Sequence, residues 1–155
     1  MIQNRLERVR AHMRKDGLDQ LIVTQPQAIY YLTGLWCNPM DRLDALVITQ
    51  DKCRMLCYVL AVIEPEDCEV TVYSDTGMTI PTLSSLLESG VTGVDGYFHS
   101  RFLIPLMQLR PDLHMRVSTC VETARMIKTD EEILLLRRAS EVTDDVFADA
   151  FGKLR

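Results

Sequence analysis

Thr129 stands three residues ahead of Glu132, and an apolar-rich stretch runs from there toward the end of the 155-residue chain. Threonine followed at that spacing by glutamate is a capping box, in which side chains and backbone satisfy each other's orphan donors where a helix begins. At 100° per residue, Ile133, Leu135, Leu136, Ala139, Val142, Val146, Phe147, Ala150, Phe151 and Leu154 fall on one half of the helix. Arg137, Arg138, Glu141, Asp144, Asp145 and Asp149 fall on the other, with Leu134 and Ala148 as apolar exceptions. So wide an apolar face needs a covering surface, either a second copy of the chain or the chain's own sheet.

The residues ahead of this helix alternate between helical and strand patterns. Ile2, Leu6, Val9 and Met13 recur at helical spacing, and Gly17 supplies a stop. Residues 18–24 form a short β-branched run, read as a buried strand. Pro26 suits the first position of a helix holding Ala28, Ile29, Tyr30, Tyr31 and Leu32, closed by Gly34. Residues 35–42 have no period and contain Pro39, which predicts a loop. Residues 43–49 and 53–60 read as strands joined at Gln50 and Asp51, a hairpin. An exposed connection at 64–67 leads to a strand at 69–73. A turn at 74–77 opens a helix over 79–89, ended by Gly90. A strand at 91–95 follows, then a helix between 100 and 110 whose start is left open by Pro105. Residues 114–119 form the last strand, and a short segment at 121–126 reaches the capping box. This order predicts an α/β fold, a mixed sheet of five to six strands flanked by helices.

Composition excludes several classes. The net charge of −5 argues against nucleic acid as a partner, since phosphate binding needs a basic face. No apolar run approaches the ~18–20 residues of a membrane span. The polar, amphipathic start does not resemble a signal peptide. Five cysteines (Cys37, Cys53, Cys57, Cys68, Cys120) make an odd count without a Cys-x-x-Cys pair. They read as small, half-buried apolar thiols in a reducing cytosol rather than a disulfide framework, with Cys53 and Cys57 facing one way on a strand. His12, His99 and His114 are scattered. Gly90, Gly93 and Gly96 do not make a dinucleotide fingerprint and are expected as turn residues at the ends of one strand. Phosphate-loop, nucleophile-elbow and His-Glu-x-x-His patterns are absent from the sequence, and the acids are dispersed.

The stretch Arg125-Met-Ile-Lys-Thr-Asp-Glu-Glu-Ile133, followed by Leu-Leu-Leu-Arg-Arg-Ala139, resembles the linker between the two domains of the creatinase/prolidase/aminopeptidase P family. Earlier segments extend the likeness over nearly the whole chain. Asp16-Gly-Leu-Asp-Gln-Leu-Ile-Val-Thr24 is similar to the family's glycine turn and first strand. Ile29-Tyr-Tyr-Leu-Thr-Gly34 is similar to its signature helix end, and Ala45-Leu-Val-Ile-Thr49 to its second strand.

The resemblance implies a ribonuclease-H-like N-terminal domain over residues 1–126. Residues 127–155 would then be the linker and the first helix of a following metallopeptidase domain. Two aspartates, a histidine and two glutamates of that later domain hold a pair of divalent metals, usually manganese, cobalt or zinc, which generate hydroxide near neutral pH. No position here matches those ligands, so no catalytic residue and no metal ligand is assigned to this chain.

The implied reading is the non-catalytic front half of a cytosolic Xaa-Pro dipeptidase, a homodimer acting on proline-containing dipeptides, with much of the last helix meeting the catalytic domain. The alternatives are a catalytically silent protein-binding module of the same fold, or the N-terminal domain of an aminopeptidase P or creatinase-type hydrolase. In family dimers the loop after the Tyr-Leu-Thr-Gly turn reaches over the neighbouring subunit's site. Here that loop holds Trp36, Asn38, Met40 and Arg42, the residues implied to lie near substrate in trans. Pro39 and Arg42 match the Asp-Pro-His-Glu-Arg loop of bacterial proline dipeptidases, and Asp41 keeps the glutamate's charge. Asn38 replaces an acid and Met40 a histidine. A guanidinium such as that of Arg42 suits a substrate carboxylate because its fork binds two oxygens at once. The competing role is a surface pair with Asp41 or Asp44, which contributes little.

Overall fold

In the computed structural model, the residues described are 2–38, 40–60, 62, 64–75 and 78–154, the side chains of Ile2 and Gln3 excepted. Pro39, the Thr76–Gly77 part of the expected turn and the Ile2 side chain therefore lie outside the described residues. The chain divides into two compact units, Met1–Ala124 and Arg125–Arg155.

The first unit is built on a six-stranded sheet. Its strands are β1 (Gln20–Val23), β2 (Ala45–Thr49), β3 (Cys53–Tyr58), β4 (Glu69–Tyr73), β5 (Gly90–Val94) and β6 (Leu113–Val117), in the order β4-β3-β2-β1-β5-β6. The β2–β3 hairpin is antiparallel, as is β1–β2, while β1–β5, β5–β6 and β3–β4 are parallel. The sheet is therefore mixed, and β2 alone runs against the other five strands.

Alternation along the strands sends side chains to two cores. Leu21, Val23, Leu46, Ile48, Met55 and Cys57 join a cluster with α1 (Ile2–Asp16), α2 (Pro26–Thr33) and α5 (Cys120–Met126). Ile22, Ala45, Val47 and Leu56 face the other way, toward Leu83 and Leu106 of α3 (Thr79–Ser85) and α4 (Ser100–Leu109). Local chemistry sets the boundaries near β1. Gly17 turns the chain at φ 64°, Pro26 opens α2, and Gly34 closes α2 in the left-handed region, its N–H donating to the Tyr30 carbonyl.

Three expectations need correction. The helix predicted to 89 stops at Ser85. The side-chain amide of buried Gln20 bonds both backbone groups of Glu88, at 2.5 and 3.0 Å, and pulls that residue toward β5. Gly93 is not a turn residue but lies inside β5. A Cβ there would stand 2.8 Å from Leu18, 2.9 Å from Leu21 and 3.0 Å from Ser118, so the strand passes too close for a side chain.

The third correction concerns cysteine. Cys53 and Cys68 form a disulfide, with Cα atoms 4.6 Å apart. The parallel register sets Arg54 opposite Glu69, which brings the preceding residues, Cys53 and Cys68, together. Cys37, Cys57 and Cys120 are buried thiols.

In the second unit, α6 (Asp130–Lys153) begins at the expected capping box. The Glu132 N–H donates to Thr129 Oγ1, and the Thr129 N–H donates to Glu132 Oε2 at 2.9 Å. No residue of α6 is buried.

Candidate functional site

The end of the sheet where β1, β3, β4 and β5 finish collects the polar side chains that position the 35–44 loop. The topology places two chain crossings there, after β1 and after β5, as at the switch point of an open α/β sheet. Asp95, just past β5, fixes this end. Its carboxylate accepts from the Thr24 N–H (2.5 Å), the Gln25 N–H (2.8 Å), the Thr24 hydroxyl (2.8 Å) and the Tyr97 N–H (3.1 Å). That cross-strand clamp sets the entry into α2 and hence the start of the loop.

The loop leaves α2 through Thr33, whose hydroxyl donates to the Ile29 carbonyl at 2.8 Å and accepts from the Leu35 N–H at 3.1 Å. Trp36 is 58% exposed and packs edge-on against Tyr30, ring centres 6.0 Å apart. Cys37 turns inward, where burial and then the nearby Asp44 push its thiol up to about 12. Met40 is 83% exposed and holds φ 53°, a left-handed conformation uncommon for a residue with a side chain.

The far end of the loop is tied to β3 and to β4 with the residues following it. Arg42 grips Asp75 with two parallel bonds, Nε to Oδ1 at 3.1 Å and Nη2 to Oδ2 at 2.9 Å. Its Nη1 donates to Asp41 at 2.8 Å. The guanidinium also lies 4.3 Å from the centre of the Tyr58 ring, and the Tyr58 hydroxyl donates to Asp75 at 2.5 Å. Arg42, then Tyr58, holds the Asp75 carboxyl below the ordinary carboxylate range. The same contact with Asp75 raises the Arg42 pKa. The Leu43 N–H donates to the Tyr73 hydroxyl at 2.9 Å.

Asp44 is 1% exposed. Its Oδ1 accepts from the Tyr58 N–H at 3.2 Å, while Oδ2 has no hydrogen-bond partner. Burial pushes this carboxyl up, toward the neutral form.

Asn38, Met40 and Arg42 come together, with Thr24, Asp44 and His99, around a cleft of about 120 Å³. Trp36 is not among its lining residues. Of the two surface pairs available to Arg42, the one with Asp41 forms, while Asp44 turns inward to Tyr58. The partners that sequence reasoning missed are Tyr58, Tyr73, Asp75 and Asp95. Each lies at or just past the end of a strand, and the parallel register that aligns those ends was the signal available.

Among the described residues, no three His, Cys, Asp or Glu side chains form a group that would hold a metal ion. Asp41 and Asp75 share the single positive charge of Arg42, and Asp44 is buried against Tyr58. The donor set of these residues does not fit a divalent metal pair. Their geometry suits presentation of a fixed guanidinium and an exposed apolar tip on one edge of the domain. No helix among the described residues is long and apolar enough to cross a membrane.

Comparison with known proteins agrees with this architecture. An Xaa-Pro dipeptidase of Lactobacillus delbrueckii subsp. lactis is 22% identical over 97% of this chain, and the chain spans 44% of that protein. Prolidase from Thermococcus sibiricus superposes with a TM-score of 0.86 at 20% identity, over 96% of this chain and 43% of that one. The Xaa-Pro dipeptidase of Bacillus anthracis does so at 0.82 and 16% identity, over 100% and 44%. The creatinase/prolidase N-terminal domain family matches residues 5–127. With that match over most of its length, and with the family's fold, the chain belongs to the creatinase/prolidase N-terminal domain family.

Proposed function

We propose that this chain is the N-terminal, non-catalytic domain of a cytoplasmic, metal-dependent Xaa-Pro dipeptidase. The observation that carries the proposal is the match of nearly the whole chain to less than half of an Xaa-Pro dipeptidase. Residues 1–126 form the domain, and residues 127–155 lead into a catalytic domain that holds the manganese, cobalt or zinc pair. Within a homodimer, the 35–44 loop borders the partner's site, and proline-containing dipeptides are the substrate.

The site geometry gives the loop a physical role. Asp75 and Tyr58 pre-order Arg42, so little side-chain entropy remains to be lost when it meets an anion. Its Nη1 bonds Asp41, the partner that a substrate carboxylate would replace. Trp36 and Met40 supply apolar surface beside it. The test is Arg42→Ala in a two-domain enzyme built from this domain and the remainder of the Lactobacillus relative. Loss of a charged contact is expected to lower kcat/KM for Xaa-Pro dipeptides by roughly ten- to a hundredfold. Unchanged efficiency would reduce Arg42 to a tether for the loop.

A further inference from the structure

The Cys53–Cys68 disulfide lies in the wall of a cleft of about 580 Å³, beside Leu6, Leu32 and Leu35. Glu64, Glu66 and Asp67 also line that cleft, all three exposed. Cys53 is buried, and Cys68 is partly open. A thiol entering the cleft therefore meets Cys68 first, across three carboxylates.

The bond also sits at a weak point of the sheet. It ties the start of β3 to the residue before β4, and β4 is an edge strand with β3 as its one sheet neighbour. Of the five β4 residues, Tyr73 alone is buried. Yet the far end of β4 anchors the loop, through the Tyr73 hydroxyl to Leu43 and through Asp75 to Arg42. An edge strand with so little burial gains much of its order from a covalent tie.

We propose that Cys53–Cys68 is an exchange site for small cationic or neutral thiols, and that opening it loosens β4 and the Arg42 anchor. The incoming thiolate attacks Cys68 Sγ. The Cys53 sulfur leaves as a thiolate and takes a proton, giving a mixed disulfide at Cys68. A second small thiol then attacks the mixed disulfide, releasing the small-molecule disulfide and a Cys68 thiol. Two thiols are oxidised and one protein disulfide is reduced, so atoms and electrons balance. The acidic wall repels anionic thiols such as glutathione and admits cysteamine. This device goes beyond the proposed function and stands whether or not the domain serves a peptidase.

The experiment uses the intact chain. Opening rates with cysteamine, β-mercaptoethanol and glutathione are followed by alkylation and intact mass, each scaled to the same thiol's rate on a neutral small disulfide. The expected order is cysteamine, then β-mercaptoethanol, then glutathione, with about a tenfold span at low salt that shrinks in high salt. Glu64→Gln/Glu66→Gln/Asp67→Asn is expected to collapse that span. Amide exchange of the wild-type chain, oxidised and then reduced, is expected to rise about tenfold or more over 69–75 and 41–44, and to stay level in β1 and β2. Equal scaled rates for the three thiols would overturn the exchange site. Unchanged exchange over 69–75 on reduction would overturn the tether.

Discussion

On β2, Leu46 and Ile48 are fully buried against helices on one face of the sheet, and Val47 on the other. On α6, Leu135, Leu136, Val146 and Phe151 are each more than half exposed. Both segments are apolar and both have clear periodicity. The strand becomes core because partners far away in sequence close over it, whereas α6 opens with a capping box and buries none of its residues. Local signals suffice to start a helix, but burial must come from elsewhere. The contrast marks residues 1–124 as a unit with its own core and α6 as a helix with an exposed apolar side.

The sharpest way to break that comparison is to truncate one leucine in each region. Leu46→Ala is expected to cost about 2–5 kcal/mol in denaturant unfolding, the usual range for a buried leucine. Leu136→Ala is expected to stay within about 0.5 kcal/mol. A loss at Leu136 that exceeds this and grows with protein concentration would show α6 covered by a second copy.

A second test probes polar burial in the sheet unit. Burial raises the Asp44 pKa, so the folded chain binds that proton more tightly than the unfolded chain does. The stability this group supplies is complete below its ordinary pKa of about 3.9. It falls as pH rises through the higher folded value. Asp44→Asn lacks this titration and keeps an acceptor for the Tyr58 N–H. Urea midpoints from pH 4 upward should therefore shift in favour of the variant as pH increases. Parallel curves would show that Asp44 is hydrated in solution.

A third, local effect belongs to the cap of α6. Thr129→Ala removes the acceptor for the Glu132 N–H and should cost about 1 kcal/mol of local helix stability. The readout is loss of helical circular dichroism, with the unfolding midpoint of the sheet unit unchanged. A shift of both together would mean the two units unfold as one.

Much of the fold was legible because its signals are local. Gly17, Pro26 and Gly34 punctuate the chain where backbone conformation requires them, and Thr129 with Glu132 starts α6 at the expected residue. Strand alternation gave the hairpin and the mixed sheet. What stayed hidden depends on distant pairings. Gln20 ends α3 from 68 residues away. Gly93 is hemmed in by Leu18 and Leu21 on one side and Ser118 on the other, from two distant stretches of the chain. The Cys53–Cys68 pair follows from the β3–β4 register, and no spacing rule encodes it. At the site, the sequence pointed to Arg42, but its partner Asp75 lies 33 residues away and appears only when β4 is set beside β3.

The proposed role, framing a peptidase site without supplying its chemistry, can be tested directly. The purified 155-residue chain, incubated with a panel of Xaa-Pro dipeptides and manganese, cobalt or zinc in turn, tests it most directly. The account predicts no release of free proline with any metal. Proline release that scales with the purified chain and survives controls for a contaminating peptidase would contradict it.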